Sequence, residues 1–150
     1  MGSEEAYGRS LVLDHGDIVL VDGSLRMLSG RQNLLQALEL RVVTPYGSDV
    51  FNTTYGMDIR EAFTRPGEAR RVKDLIRLSL VRTLTTDPRV REVTDVVFED
   101  DPRFLELHPQ LDEAAVAQRL RDRRRRFWEV EVLFDAVSGD SESIRLEIGI

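Results

Sequence analysis

Carboxylates are the only side chains numerous enough here to suggest acid–base chemistry. The 150 residues include 27 Asp and Glu. Glu39 with Asp49 or Asp58 could form the paired carboxyls of a glycoside hydrolase. With so many acids some such pair arises in any arrangement, so solvated surface charge is the favoured reading. Histidine adds little: His15 lies in a polar turn beside Asp14 and Asp17, His108 precedes Pro109, and neither has metal-ligand spacing. The chain has no cysteine, which removes thiol catalysis, redox exchange and cysteine-ligated zinc. No glycine-rich phosphate loop, nucleophile-elbow serine, His-Glu-x-x-His run or calcium-loop spacing occurs. The reading is a protein without enzymatic activity, and it assigns no catalytic residue, no cofactor and no metal.

The cations are distributed more tellingly. Lys73 is the only lysine among 21 basic residues. Six arginines, Arg119, Arg121, Arg123, Arg124, Arg125 and Arg126, crowd into eight positions with one acid, Asp122. The octet carries +5 and leaves −11 to the rest of a chain whose net charge is −6. Such a run could grip phosphates in a salt-sensitive way. It could instead dock on an acidic protein surface through bidentate pairs, or be a solvated helix end. The acidic whole and the absence of interleaved aromatics argue against a nucleic-acid binder.

These residues need elements to position them. A chain of 150 residues, 41% hydrophobic, reads as a single domain over 1–150. At this length it buries about 70% of its unfolded surface and needs no staple. Its start lacks a secretory or myristoylation pattern, and no run approaches a membrane span, so cytoplasmic assembly without membrane insertion is expected. Short β runs at Ser10–Leu13, Asp17–Val21 and Ser24–Met27, with an Asp22-Gly23 turn, predict an N-terminal β-ribbon. Ser29 and Gln32 have the spacing of a capping box before a helix over Gly30–Arg41, whose apolar face is Leu34, Leu35, Leu38 and Val42. Thr44 to Gly56 reads as a loop with at most a short extended piece at Val50-Phe51, followed by a helical turn at Asp58–Phe63 that ends at Arg65-Pro66-Gly67.

Val72, Leu75, Ile76, Ser79, Leu80, Thr83 and Leu84 predict a central core helix from about Glu68 to Thr86, with Leu78 and Val81 widening its stripe. Strands follow at Val93–Phe98, at Phe127–Phe134 and from Ile144 to Ile150, the last two joined through Ser138-Gly139-Asp140-Ser141. Their acidic alternate positions, Glu129 and Glu131 among them, suit a sheet packed on helices by one face only. Residues 99–126 form an insertion, with a helix expected at about Leu111–Arg125. The architecture is α+β: an N-terminal β-ribbon and two core helices packed on a C-terminal antiparallel sheet, with a helical insertion between the first two C-terminal strands. The last strand could lie at a sheet edge and pair with another chain, or be fully paired within its own sheet.

The run Gly30-Arg31-Gln32-Asn33-Leu34-Leu35-Gln36-Ala37-Leu38, then Leu40, Thr44, Gly47, Phe51-Asn52 and Tyr55-Gly56, resembles the baseplate wedge and sheath-initiator family of contractile tails. That family is typified by gene product twenty-five of T-even phages, with relatives in type VI secretion systems and phage-tail-like injection particles. Asp87-Pro88-Arg89-Val90 after a long helix, and the terminal strands, continue the likeness, which spans roughly 17–98 and 127–150. The chain departs from the pattern where Ser48 and Asp49 follow Gly47, and where Thr53 and Thr54 replace a proline.

The resemblance implies a structural component, present in six copies, that joins wedge proteins to the sheath and templates sheath assembly by β-strand pairing. Inner-tube or hub proteins would be further neighbours. It implies wedge contact through Thr44, Gly47, Asp49, Phe51, Asn52, Tyr55 and Gly56, and sheath contact through the strand bearing Ile144, Leu146, Ile148 and Ile150. The six arginines would form a docking patch. Two other roles are compatible with the likeness: a peptidoglycan-degrading, lysozyme-like enzyme, and a small regulatory adaptor of the same fold.

Overall fold

The computed structural model describes residues 3–64, 68–122 and 127–149. Helix α1 (Ser3–Ala6) precedes six short strands: β1 (Arg9–Leu11), β2 (Leu13–Asp14), β3 (Asp17–Ile18), β4 (Leu20–Val21), β5 (Ser24–Leu25) and β6 (Met27–Ser29). The expected ribbon is in fact three antiparallel ribbons, β1–β6, β2–β3 and β4–β5. They radiate from a junction at which the Val12 amide donates to the Arg26 carbonyl (2.9 Å), Val19 to Val12 (3.2 Å) and Arg26 to Val19 (3.1 Å). Asp22-Gly23 makes its tight turn with φ of 50° and 77°, and His15-Gly16 makes a second with 50° and 88°. Positive φ at both central residues is the geometry that matches the twist of paired strands.

Helix α2 (Gly30–Val43) begins where expected and runs two residues further. Ser29 stands at its N-cap but makes no side-chain capping bond, so the capping box with Gln32 does not form. Its backbone is extended and paired with Arg9 as the end of β6, and the strand rather than a cap sets the entry to the helix. The polar side of α2 faces the ribbons. The Gln36 Oε1 accepts from the Leu13 amide (3.0 Å) and its Nε2 donates to the Leu11 carbonyl (2.9 Å). Buried Asn33 donates to the Tyr7 carbonyl (2.8 Å).

Helices α3 (Arg60–Thr64) and α4 (Ala69–Leu84) follow. The expected stop at Arg65-Pro66-Gly67 lies outside the described residues. Leu34, Leu38 and Val42 of α2 meet Ile76, Leu80 and Leu84 of α4 in the main core. Burial of each such side chain is worth roughly 1.5–3 kcal/mol. Leu78 is the exception to the predicted stripe: it is 60% exposed, because the sheet and α2 cover a narrower arc of α4 than its apolar circumference.

The C-terminal sheet has the order β7 (Val90–Phe98), β8 (Phe127–Ala136), β9 (Ser141–Gly149), antiparallel throughout. β7 starts three residues before the expected Val93, and its pairing with β8 shifts register between Val90 and Glu92 and again between Val93 and Asp95. Such irregularities blur the period-two signal on which the boundary depends. Val96, Phe98, Val130, Val132, Phe134, Ile144, Leu146 and Ile148 point toward α2 and α4 and join the main core.

The opposite face was expected to be solvated and is not. The insertion folds back across it as two helices, α5 (Pro102–Leu107) and α6 (Glu113–Arg121). Asp101 caps α5 by accepting from the Arg103 amide (3.0 Å), with Pro102 in its first turn; Asp112 caps α6 through the Ala114 amide (3.0 Å). Only one helix was predicted there, to Arg125. The structure ends α6 at Arg121, where Asp122 turns extended. Phe104, Val116 and Val97 are buried outside the main core, so the sheet is covered on both faces. Glu129 and Glu131, predicted to be solvent-facing, are buried beneath this cover. No helix among the described residues is long and apolar enough to cross a membrane.

Candidate functional site

The segment between α2 and α3 is a closed loop that builds its own frame. Its two ends are tied by the Met57 amide donating to the Thr44 carbonyl (2.9 Å) and the Tyr46 amide to the Met57 carbonyl (3.2 Å). Further out, Gly47 donates to the Tyr55 carbonyl (3.2 Å). No strand forms at Val50-Phe51; the only β contact in the loop is the isolated bridge of Pro45 with Met57. Gly56 is dictated by this closure. Its φ is +104°, and a Cβ there would lie 2.4 Å from the Thr44 carbonyl oxygen. Thr44 is held by its hydroxyl donating to the Leu40 carbonyl (2.6 Å).

The tip is braced by Asp49, whose Oδ1 accepts from the amides of Phe51 (2.8 Å) and Asn52 (3.1 Å). The brace holds two apolar side chains out in water: Phe51 is 100% exposed and Val50 86%. A carboxylate accepting two backbone amides fixes the turn, so the exposed phenyl ring does not gain its position from packing.

The root of the loop rests on a buried charge cluster. Asp87, 1% exposed, accepts from the Arg89 side chain at both oxygens (2.9 and 2.8 Å) and from the Arg89 amide (3.0 Å). Arg41 approaches the same carboxylate at 3.6 Å and donates to the Thr86 hydroxyl (2.9 Å). Burial disfavours the Asp87 anion, but the Arg89 hydrogen bonds and the charges of Arg89 and Arg41 outweigh it and hold the carboxyl below its ordinary range. The Arg41 guanidinium also lies over the Tyr55 ring at 4.6 Å. Burial pushes the Tyr55 phenol up, with the Arg41 charge opposing. The chain thus places the Asp87-Pro88-Arg89 turn directly behind the loop it follows by some thirty residues.

Of the seven loop residues singled out from sequence, Phe51 and Asn52 are exposed for contact, with Gly47 exposed at the turn. Thr44, Asp49, Tyr55 and Gly56 chiefly build and orient the loop. The sequence reading missed Val50, Arg41 and Tyr46. Val50 was legible as an apolar residue in a polar loop, whereas Arg41 looked like an ordinary helix-end cation.

Strand β9 answers the question left open about the chain's last segment. Among the described residues it pairs only with β8, so it is an edge. The side chains of Ile144, Leu146 and Ile148 point into the core, and contact with another chain along this edge therefore falls to the backbone and to Arg145 and Glu147. Ile150 lies outside the described residues. Arg31 occupies the start of the strand through Glu142 and the Ser143 carbonyl. The far end opens into a groove of about 480 Å3, lined by Glu147, Ile148 and Gly149 on one side and by Tyr46, Met57 and Phe63 on the other. Edge and loop root thus share one surface.

The arginine run divides. Arg119 points inward, donating to Glu129 (2.6 Å) and approaching Glu99 at 3.7 Å, while Arg145 pairs with the other oxygen of Glu129. Burial disfavours the Glu129 anion, but the bonds and charges of Arg145 and Arg119 outweigh it and lower its pKa. Arg121 is exposed. Arg123, Arg124, Arg125 and Arg126 lie outside the described residues.

Two of the three acids weighed for hydrolysis are otherwise engaged. Asp49 braces the loop, Glu39 is exposed on α2, and Asp58 is held below its ordinary pKa mainly by the Arg60 side chain. A carboxyl lowered in this way is ionised at neutral pH and unsuited to donate a proton. Among the described residues no group of His, Asp and Glu has the arrangement of a metal site.

The fold class is therefore α+β, with a three-stranded sheet between a helical layer and a two-helix cover. Protein-family models match no part of this chain, and curated proteins likewise yield no match.

Proposed function

We propose that this protein is a structural, non-enzymatic baseplate component of a contractile injection machine, joining wedge proteins to the sheath and templating sheath assembly. The observation that carries the reading is the fully exposed Phe51 on a loop braced by its own carboxylate and seated on a buried ion cluster. A free phenyl ring held out from a stable root is an anchor for a partner's pocket, since aromatic side chains dominate binding energy where they become buried. Thr44, Gly47, Asp49, Phe51, Asn52, Tyr55 and Gly56 form the wedge-contact loop in this reading. The edge of β9 is the sheath contact, acting through its main chain, which gives a directional template on each of six subunits. Inner-tube or hub proteins lie nearby, and no nucleic acid or membrane insertion is involved. Assembly takes place in the cytoplasm.

The test is made in a particle-producing strain. Phe51→Asp should leave the purified subunit folded but abolish its incorporation into baseplates. Glu147→Arg, a change at an exposed position of β9 that leaves its core side chains in place, should yield baseplates without ordered sheath. Normal full-length sheaths in both variants would overturn the proposal, as would release of soluble muropeptides by the purified chain with loss on Asp49→Asn.

A further inference from the structure

A cavity of about 570 Å3 opens between the loop and helix α4, and its chemistry is one-sided. Arg41, Tyr46, Asn52 and Arg82 contribute hydrogen-bond donors to its lining. The Arg41 Nε is buried without an acceptor. Among the described residues, the side chains of Arg82 and Tyr46 have no hydrogen-bond or ion-pair partner, and the Asn52 side chain is engaged only at its Oδ1, by Thr54 (2.9 Å).

Three hydroxyls of the lining, those of Thr54, Ser79 and Thr86, donate within the protein. Thr86 donates to the Thr83 carbonyl (2.6 Å) and Ser79 to the Asp58 carbonyl (2.8 Å). The one acid present, Asp58, is taken by Arg60 at 3.3 Å. Behind the wall, the single carboxylate of Asp87 faces two arginines, Arg41 and Arg89. The cavity therefore carries an excess of positive charge and free N–H groups, and its one lining carboxylate is already paired with Arg60.

We infer that this cavity is a carboxylate-binding site, and that the chain engaging the loop inserts an Asp or Glu side chain into it between Arg41 and Arg82. A fixed guanidinium fork matches a planar carboxylate and forms the strongest class of hydrogen bond available to a protein. The occupant is assigned to the partner polypeptide because Asn52, in the cavity wall, directly follows the exposed Phe51 in the chain. A chain that covers the phenyl ring passes over the opening. The inference rests on the wedge-contact reading for the identity of the partner, but the chemistry of the site can be measured without it.

The experiment uses the purified full chain. N-acetyl-glutamate N-methylamide, its glutamine counterpart and inorganic phosphate are titrated at constant ionic strength while backbone amide shifts are followed by NMR. Saturable shifts at Thr54, Gly56, Thr83 and Thr86 are expected with the glutamate compound and not with the glutamine one. Arg82→Gln, a change at an exposed position, should weaken this binding by about tenfold, equivalent to about 1.4 kcal/mol, without altering the spectrum elsewhere. Equal response to glutamine, or no response, overturns the assignment. Tighter binding of phosphate at the same amides also overturns it, in favour of a free phosphate site. Because no tail protein enters this assay, its failure is distinct from failure of the baseplate reading.

Discussion

Arg119 of the insertion reaches across the sheet to Glu129 of the central strand, its Nη1 lying 2.6 Å from the carboxylate. This pair converts a predicted docking arginine into the clasp that holds the insertion down. With Arg145 on the other oxygen of Glu129, and His108 2.8 Å from Glu131, it makes the outer face of the sheet an interior.

Arg119→Ala should therefore loosen the insertion. Glu129 would retain Arg145 alone, beneath a cover that has lost its anchor. A loss of about 2 kcal/mol is expected, below the range for a fully buried pair because the Arg119 side chain is partly solvated. Urea unfolding measures the loss, and limited proteolysis should cut first within residues 105–122. Unchanged protease resistance would show that Phe104 and Val116 hold the cover without the ion pair.

Stability should decline in acid by a predictable route. Asp87 and Glu129 both have folded pKa values below their ordinary ones. Their contribution is complete above the unfolded values near about 4 and is lost as pH falls through the lower folded values. Chemical unfolding from pH 7 down to about pH 3 should show a plateau, then a fall beginning near about pH 4.5. Asp87→Asn should lower the plateau by roughly 3 kcal/mol, by leaving Arg41 and Arg89 without their shared anion, and should flatten the fall.

Two loop glycines should respond differently to alanine. Gly56→Ala places a Cβ 2.4 Å from a backbone oxygen, whereas at Gly47 the nearest atom is 3.6 Å away and only the positive φ of 77° opposes it. Costs of about 3 kcal/mol and about 1 kcal/mol are expected. Hydrogen exchange at the Tyr46 and Met57 amides should rise sharply in the first variant and little in the second.

Two phenylalanines offer the opposite contrast. Phe104 of the insertion is fully buried against the sheet, and Phe104→Ala should cost roughly 3–5 kcal/mol by transfer and cavity terms. Phe51→Ala should stay within about 0.5 kcal/mol of the parent, because its ring touches only water. Thermal unfolding of both variants is the check. A large loss at Phe51 would mean that the ring packs on the protein in solution and is no free anchor.

Helices α2 and α4, the three C-terminal strands and the Asp22-Gly23 turn were readable from residue order, because their signals are local. The period of Leu34, Leu38 and Val42, the alternation of Val130, Val132 and Phe134, and positive φ at an Asp-Gly pair depend on neighbours a few positions away. Helix α5 has an equally local signal in Asp101 before Pro102, but its six residues are too short to show an apolar period. The Ser29 capping box failed for a different reason: Ser29 is claimed by a strand partner twenty residues earlier.

Charge was where residue order misled. Alternating Glu129 and Glu131 are identical in pattern to a solvated strand face, and nothing nearby reveals that a segment before β8 returns to cover them. Arg119 and Arg121 stand two residues apart in one run, yet one closes an interior ion pair and the other meets solvent. Arg41, Tyr55, Arg82 and Asp87 come from three separate stretches and acquire shared chemistry only when the loop closes against α4. A side chain's environment depends on what folds over it across tens of residues, whereas its backbone conformation depends mostly on the few residues beside it. For that reason the composition and period of this chain specify an acidic α+β protein with an exposed central loop. Packing alone determines which of its charges are structural and which are left to meet a partner.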